Sequence, residues 1–254
     1  MPIPYLNCIT TGDALRLLLT LPDACVDAVI TDPPYSSGGA FRGDRGLDPT
    51  AKYQQSENRN LYTSFSGDTR DGRSYAYWST LWLAECLRIA KPGSPIGVFS
   101  DWRQLPATSD AVQAGGWVWR GIVPWDKTES ARPQRGRFRA QCEYVIWGSK
   151  GRMWNEGRTD CPPLPGVVRQ AVISRDKQHI AGKPLAVMRA LLAICPPGGI
   201  VLDPFAGSGS TCHAAVACGM DYIGFDIDPT WTRVSDARTA VVQSVMPGFR
   251  PSET

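Results

Sequence analysis

The sequence predicts an α/β protein built on a mostly parallel sheet. Short apolar runs of strand length alternate with segments that carry leucine or alanine at helical spacing. Several runs end on an acid followed by a turn, and a glycine-rich turn joins the last run but one to a helix. In open parallel sheets, ligands bind at the carboxyl ends of the strands, so the acids stand where chemistry is expected.

Length and composition agree with that class. The chain has 254 residues, 43% of them hydrophobic and 20% charged, which suits one soluble α/β domain over 1–254 with insertions. The net charge is only +3, but arginines crowd residues 42–73 and 132–139, and local basic patches of this kind suit an anionic partner. No two of the eight cysteines have the spacing of a metal knuckle, so they read as free thiols in a reducing compartment and no metal site is expected. Residues Met1 to Tyr5 lack a basic region followed by an apolar run, and no apolar stretch reaches membrane length. A cytoplasmic protein without a membrane partner is expected.

The first unit reads as strand, turn and helix: Leu6 to Thr10, then Thr11-Gly12-Asp13, then leucines at helical spacing from Ala14 to Leu21. Asp13 is either a helix cap or a ligand group at a strand end. The second strand, Val26 to Thr31, stops at Asp32-Pro33-Pro34-Tyr35, where two prolines forbid both helix and ladder. Pro34 keeps Pro33 extended, so that the Asp32 carboxylate and the Pro33 carbonyl can point the same way. Two such acceptors suit an exocyclic amino group, and the Tyr35 ring offers a face for a stacked base.

Residues 36–74 are polar and aperiodic, with Arg42 and Arg45 among interleaved aromatics, as in a binding loop for a nucleic-acid backbone. Tyr75 to Ala90 fits an amphipathic helix that Lys91-Pro92-Gly93 stops, Ile96 to Ser100 a buried strand, and residues 103–114 a helix. Residues 117–125 and 142–149 are strand-like and pair antiparallel at one edge of the sheet in this reading. Between them, a loop carrying Arg132, Arg135, Arg137 and Arg139 is too basic and too broken for core, and residues 150–178 are again irregular.

After Lys183-Pro184 a helix covers Leu185 to Ala193, followed by the strand Ile200-Val201-Leu202. That strand opens into Asp203-Pro204-Phe205-Ala206-Gly207-Ser208-Gly209-Ser210-Thr211, a turn whose glycines let backbone approach a ligand at a helix N-terminus. An acid beside a helix N-terminus holds an ammonium and a carboxylate together, which describes an amino-acid moiety better than a pyrophosphate. The strand Asp221 to Asp226 follows, and Asp226 lies where a carboxylate takes ribose hydroxyls. A closing helix covers Pro229 to Gln243.

Asp32-Pro33-Pro34-Tyr35 and Asp203-Pro204-Phe205-Ala206-Gly207-Ser208-Gly209 together resemble the amino-methyltransferases of DNA, in the circularly permuted beta order, with the catalytic motif first. The resemblance implies a Rossmann-like class I methyltransferase fold with an antiparallel edge hairpin. It also implies methyl transfer from S-adenosyl-L-methionine to adenine N6 or cytosine N4 of flipped bases in double-stranded DNA. Asp at the first motif position resembles the adenine-N6 enzymes. Catalysis is then expected from Asp32, Pro33, Pro34 and Tyr35. Cofactor contacts are expected from Asp13 (the adenine amino group), Lys183, Asp203, Pro204, Phe205, Ala206, Gly207, Ser208, Gly209, Ser210, Thr211 and Asp226 (the ribose). Residues 36–74 and 128–178 become DNA-binding or target-recognition insertions, with Arg42, Arg45, Arg132, Arg135, Arg137 and Arg139 on DNA. His179, Trp125-Asp126-Lys127 and Glu143-Tyr144 look like further family landmarks. A homodimer and a cognate restriction endonuclease are compatible with the resemblance. RNA or protein-amide methylation, and a catalytically silent DNA-binding regulator, remain as competing readings.

Overall fold

The computed structural model describes residues 2–35, 70–131, 133, 135–172 and 182–234. Its frame is one eight-stranded sheet with helices on both faces. In chain order the elements are β1 (Cys8–Thr11), α1 (Ala14–Leu18), β2 (Ala28–Thr31), α2 (Gly72–Ile89), β3 (Pro95–Ser100), α3 (Leu105–Ala114), β4 (Val118–Asp126), β5 (Cys142–Ser149), β6 (Val168–Arg169), α4 (Leu185–Leu192), β7 (Ile200–Asp203), α5 (Ser210–Ala217) and β8 (Asp221–Asp226). The chain turns helical again from Pro229 to Val234.

Strand order is β1-β8-β7-β2-β3-β5-β4-β6, and every neighbouring pair is parallel except β3 with β5 and β5 with β4. After β7 the chain moves through α5 to β8 on one side, and after β2 it moves through α2 to β3 on the other. The crevice between β2 and β7 is therefore the topological switch point, and both strands end there at the same edge. The expected antiparallel hairpin is present, but the last strand of that edge is β6, which pairs with β4 through Trp125↔Val168 and Asp126↔Arg169. Two residues carry no periodicity, which is why residues 150–178 read as wholly irregular.

The pleat divides the core. Ile30 faces a cluster with Phe99, Val145, Val187, Leu191 and the alanines of α5, and its neighbour Val29 faces Leu18, Trp82, Val98, Val112 and Ile146. So α4 and α5 cover one face and α1, α2 and α3 the other. All four residues of β2 are buried, which is why the strand is continuously apolar rather than alternating. Asp27, just before it, is held by Lys91 Nζ at 2.8 Å and by the Ile200 amide at 2.9 Å, tying the start of β2 to β7.

The helices begin where the sequence supplies acceptors. Asp71 caps α2 by accepting from the amides of Arg73 and Ser74, and its buried stripe runs through Tyr75, Ser79, Trp82, Leu83, Cys86 and Ile89. All eight cysteines are free, as expected. Among the described residues no cluster of His, Cys, Asp and Glu could hold a metal ion, and no helix is long and apolar enough to cross a membrane.

Candidate active site

Two loops meet at the switch point. Thr31, the last residue of β2, donates its hydroxyl to Asp203 Oδ1 at 2.6 Å, so the residue before the Asp32 turn is bonded to the acid that opens the glycine turn. Asp203 Oδ1 also accepts from the Phe205 amide at 3.0 Å, and the Thr211 hydroxyl supports the same carboxylate. Burial pushes the Asp203 carboxyl up to about 6, against the pull of these hydrogen bonds.

Gly207 and Gly209 sit at φ +51° and +78°, in the left-handed region that favours glycine, and a side chain added at Gly207 would project into open space. Pro204, Ala206, Ser208 and Thr211 are buried, with Phe205 and Ser210 partly so. Phe205 lies 5.3 Å from the Trp78 ring and 5.1 Å from the Trp82 ring, which fixes the turn against α2. Asp226 accepts from the Gly207 amide at 2.8 Å through Oδ2 and from the Asp228 amide at 2.9 Å through Oδ1. Each of its oxygens keeps a lone pair for a further donor. Asp13, at the end of neighbouring β1, caps α1 by accepting from the Arg16 amide at 3.1 Å through Oδ1. Open backbone at Gly207, the start of α5 and the Asp203 and Asp226 carboxylates lie together at the ends of β7 and β8.

The Asp32 turn is organised by charge. Tyr35 donates its hydroxyl to Asp32 Oδ1, and Lys183 Nζ lies 2.5 Å from Asp32 Oδ2. The same ammonium is 3.1 Å from Glu143 Oε2 on β5 and 3.2 Å from the Tyr35 hydroxyl, and it lies 5.0 Å from the centre of the Phe99 ring. Lys127, following β4, holds the other Glu143 oxygen. Two carboxylates and two ammonium groups thus form one neutral chain. Its middle is nearly dry, with the Lys183 side chain 7% exposed and those of Asp32 and Glu143 19% each.

Burial pushes the Asp32 carboxyl up, and Lys183 opposes it. Burial works in the same direction on Glu143, but Lys183 and Lys127 outweigh it and hold that carboxyl down at about 2. Burial alone would lower the Lys183 ammonium, yet Asp32 and Glu143 raise it instead. Tyr35 is raised well above an ordinary phenol, first by burial and then by the Asp32 charge, so its proton stays on oxygen.

Lys183, expected among the cofactor contacts, therefore stands in the Asp32 cup. Glu143 and Lys127 had been legible only as landmarks; the available signal was a lone acid at the start of the apolar run Tyr144-Val145-Ile146. Arg135, Arg137 and Arg139 lie exposed in the β4–β5 loop. Arg139 ties that loop back by donating to the carbonyls of Glu129 and Ala131. Arg42, Arg45, Arg132 and His179 lie outside the described residues.

A family model of N6 and N4 methyltransferases, described as DNA methylase, matches residues 26–159 and 152–236, a span that holds both loops. The chain belongs to this family. The methylase is 30% identical to YubD of Escherichia coli (strain K12) over 238 residues, covering 92% of this chain and 91% of that protein. It is 26% identical to the type II methyltransferase M.HinfI of Haemophilus influenzae over 263 residues, covering 92% of this chain and 68% of that one. The crystal structure of the M1.HpyAVI–SAM complex superposes with a TM-score of 0.64 at 21% identity, covering 91% of this chain and 98% of that one. That likeness gives the methylase a methyltransferase fold, as the sequence had implied.

Proposed function

We propose that this DNA methylase transfers a methyl group from S-adenosyl-L-methionine to the exocyclic N6 of adenine in duplex DNA, with the target base flipped out of the stack. The observation that carries the reading is the meeting of the Asp32 turn and the Asp203 turn at the switch point, joined by the Thr31–Asp203 hydrogen bond. S-adenosyl-L-methionine supplies an electrophilic methyl group on a sulfonium centre. Asp203, Phe205 and the Gly207–Thr211 backbone line the place for its amino-acid part, and Asp226 accepts from ribose hydroxyls.

Tyr35 stacks on the flipped base, and the Asp32 carboxylate and Pro33 carbonyl accept from its amino group. These acceptors localise the nitrogen lone pair and aim it at the methyl group that S-adenosyl-L-methionine would supply. The surplus proton on nitrogen passes to Asp32, whose carboxyl is already pushed up by burial. Both Asp32 oxygens are engaged in the resting site, one by Tyr35 and one by Lys183. An incoming amino group takes the place of the ammonium on Oδ2, and Lys183 keeps Glu143 as its counter-ion. Most of the acceleration comes from positioning and from these fixed charges.

The choice of adenine N6 over cytosine N4 rests on aspartate, rather than serine, at the first position of the motif. Tritiated methyl transfer to unmethylated duplex DNA tests the reaction: label enters DNA with the wild type and not with Asp32→Ala, while Asp32→Ala still binds S-adenosyl-L-methionine. Full activity in Asp32→Ala would overturn the cup. Long-read mapping after expression in a methylation-free host is expected to find N6-methyladenine at one sequence; N4-methylcytosine would overturn the base assignment.

A further inference from the structure

At the same end of the sheet a second recess stands apart from the Asp32 cup. Trp102 and Arg103 follow β3, the β4–β5 loop brings Arg137, Phe138 and Arg139, and Tyr144 on β5 closes the floor of an open cleft of 490 Å³. Cys142 and Tyr144 alternate with Glu143 along the strand, so this cleft and the Lys183 cup use opposite faces of β5.

The two aromatic walls are kept in water: Trp102 is 57% exposed and Phe138 fully so. The Arg103 guanidinium lies 4.8 Å from the Trp102 ring centre, and both side chains line the cleft. Arg139 is spent on loop carbonyls and fixes the arm, whereas Arg137 reaches no partner among the described residues. Three guanidinium groups line the recess and no carboxylate does, although Asp101 stands 3.9 Å from Arg103 behind it. Exposed rings suit a flat apolar ligand, and the Arg137 guanidinium, with no partner among the described residues, suits an oxyanion. An acidic peptide would not need the aromatic walls, and an apolar segment would not need the cations. A nucleotide uses both, by stacking its base and placing its phosphate on arginine.

We propose that the cleft holds a second unstacked nucleotide of the DNA substrate, near the flipped target, with its base against Trp102 and Phe138 and its phosphate on Arg137. The inference rests on the DNA reading above and adds to it a site that takes part in sequence recognition. Trp102 is then a specificity residue rather than a catalytic one.

The test uses the full chain with its mapped DNA site, comparing wild type with Trp102→Ala, Phe138→Ala, Arg137→Gln and Arg137→Lys. Trp102→Ala is expected to raise KM for DNA by about 10-fold or more, since base stacking on one aromatic ring commonly carries that much. The loss falls on KM rather than kcat, discrimination at one position beside the target relaxes, and affinity for S-adenosyl-L-methionine stays. Arg137→Gln is expected to weaken DNA binding and flatten its salt dependence by about one ion, with Arg137→Lys restoring the slope. DNA carrying 2-aminopurine next to the target should brighten or quench on binding wild type, and not on binding Trp102→Ala. If the wild type methylates DNA but all of these readouts match in Trp102→Ala and Phe138→Ala, the cleft assignment is overturned alone. If the wild type methylates no DNA, the functional reading falls and the cleft assignment with it.

Discussion

Lys183 Nζ lies 2.5 Å from Asp32 Oδ2, the position at which the proposed chemistry needs to receive an amino group. A lysine ammonium and a base amino group ask the same thing of a carboxylate, so the cup at rest is filled by an internal substitute. Two features keep this from being a dead end. Glu143 offers Lys183 a second anion at 3.1 Å, and Lys127 keeps the charge of the chain balanced when the ammonium shifts. A buried ion pair is costly to form and costlier to break, so the second anion is what permits the exchange.

Lys183→Met should separate these roles. Without the ammonium, Asp32 keeps its burial and loses the main influence that holds its carboxyl down, so its pKa rises further. The ionised form needed by the substrate then appears only at higher pH, and the acid limb of the pH–rate profile moves upward. A loss of about 10-fold or more at neutral pH is expected, most of it regained on the alkaline side, because each unit by which the carboxyl titrates above the assay pH costs about a factor of ten in the ionised form. Binding of S-adenosyl-L-methionine, measured by calorimetry, serves as the control for folding. An unmoved acid limb would remove Lys183 from the account.

Glu143→Gln acts on the other anion. Glu143 is held at about 2 in the folded protein against an unfolded value near 4.5, so its contribution to stability is present above pH 4.5 and is lost as pH falls toward 2. The difference in urea midpoint between wild type and Glu143→Gln should therefore shrink steadily from pH 5 to pH 3. At pH 7.5 the variant leaves Lys183 with Asp32 as its one carboxylate, and kcat for methyl transfer should fall at least 10-fold. A variant whose midpoint runs parallel to wild type across that range would show that Glu143 titrates alike in both states.

The two turns were legible because each combines a strand end, an acid and a backbone constraint within ten residues. Asp32 is followed by two prolines, and Asp203 by glycines that the turn needs at φ +51° and +78°. The charge chain was less legible, since Lys183 lies 148 residues from Tyr35 and only the crossing of β2, β5 and the approach to α4 brings them together. Asp13 shows the reverse difficulty. Its position at a strand end fits a ligand group and a helix cap alike, and the structure finds one of its oxygens capping α1. The β6 strand and the Trp102 cleft had no periodic signal at all, because both are products of pairing and loop placement.

In the proposed mechanism Tyr35 has two roles that substitution can divide. Tyr35→Phe keeps the ring for stacking but removes the hydroxyl that donates to Asp32 Oδ1, a hydrogen bond to a charged group that is commonly worth about 2 kcal/mol. A fall of about 30-fold in kcat is expected, with KM for DNA little changed. Tyr35→Ala also removes the stacking face, so KM should rise as well. Equal kinetics in the two variants would mean that the ring contributes nothing to holding the base.

In the proposed reading Asp203 gives the cofactor half of the site its own pH dependence. Its carboxyl is pushed up to about 6 in the fold, above the 3.8 of an unstructured aspartate, so the folded state binds the proton more tightly. Stability from this group is therefore greatest below pH 4 and declines as pH rises through about 6, opposite in sign to Glu143. A bound cation reverses the preference, because the sulfonium and ammonium of S-adenosyl-L-methionine favour the ionised carboxylate. Binding should then release a proton near pH 5.5, seen as a buffer-dependent heat in titration calorimetry, and affinity should be weaker at pH 5 than at pH 7.5. Asp203→Asn keeps the acceptor oxygen for Thr31 and Phe205 while removing the titration, so it should abolish the proton release and weaken binding at pH 7.5. Proton release of equal size in Asp203→Asn would assign it to another group, with Asp226, also raised by burial, the next to test.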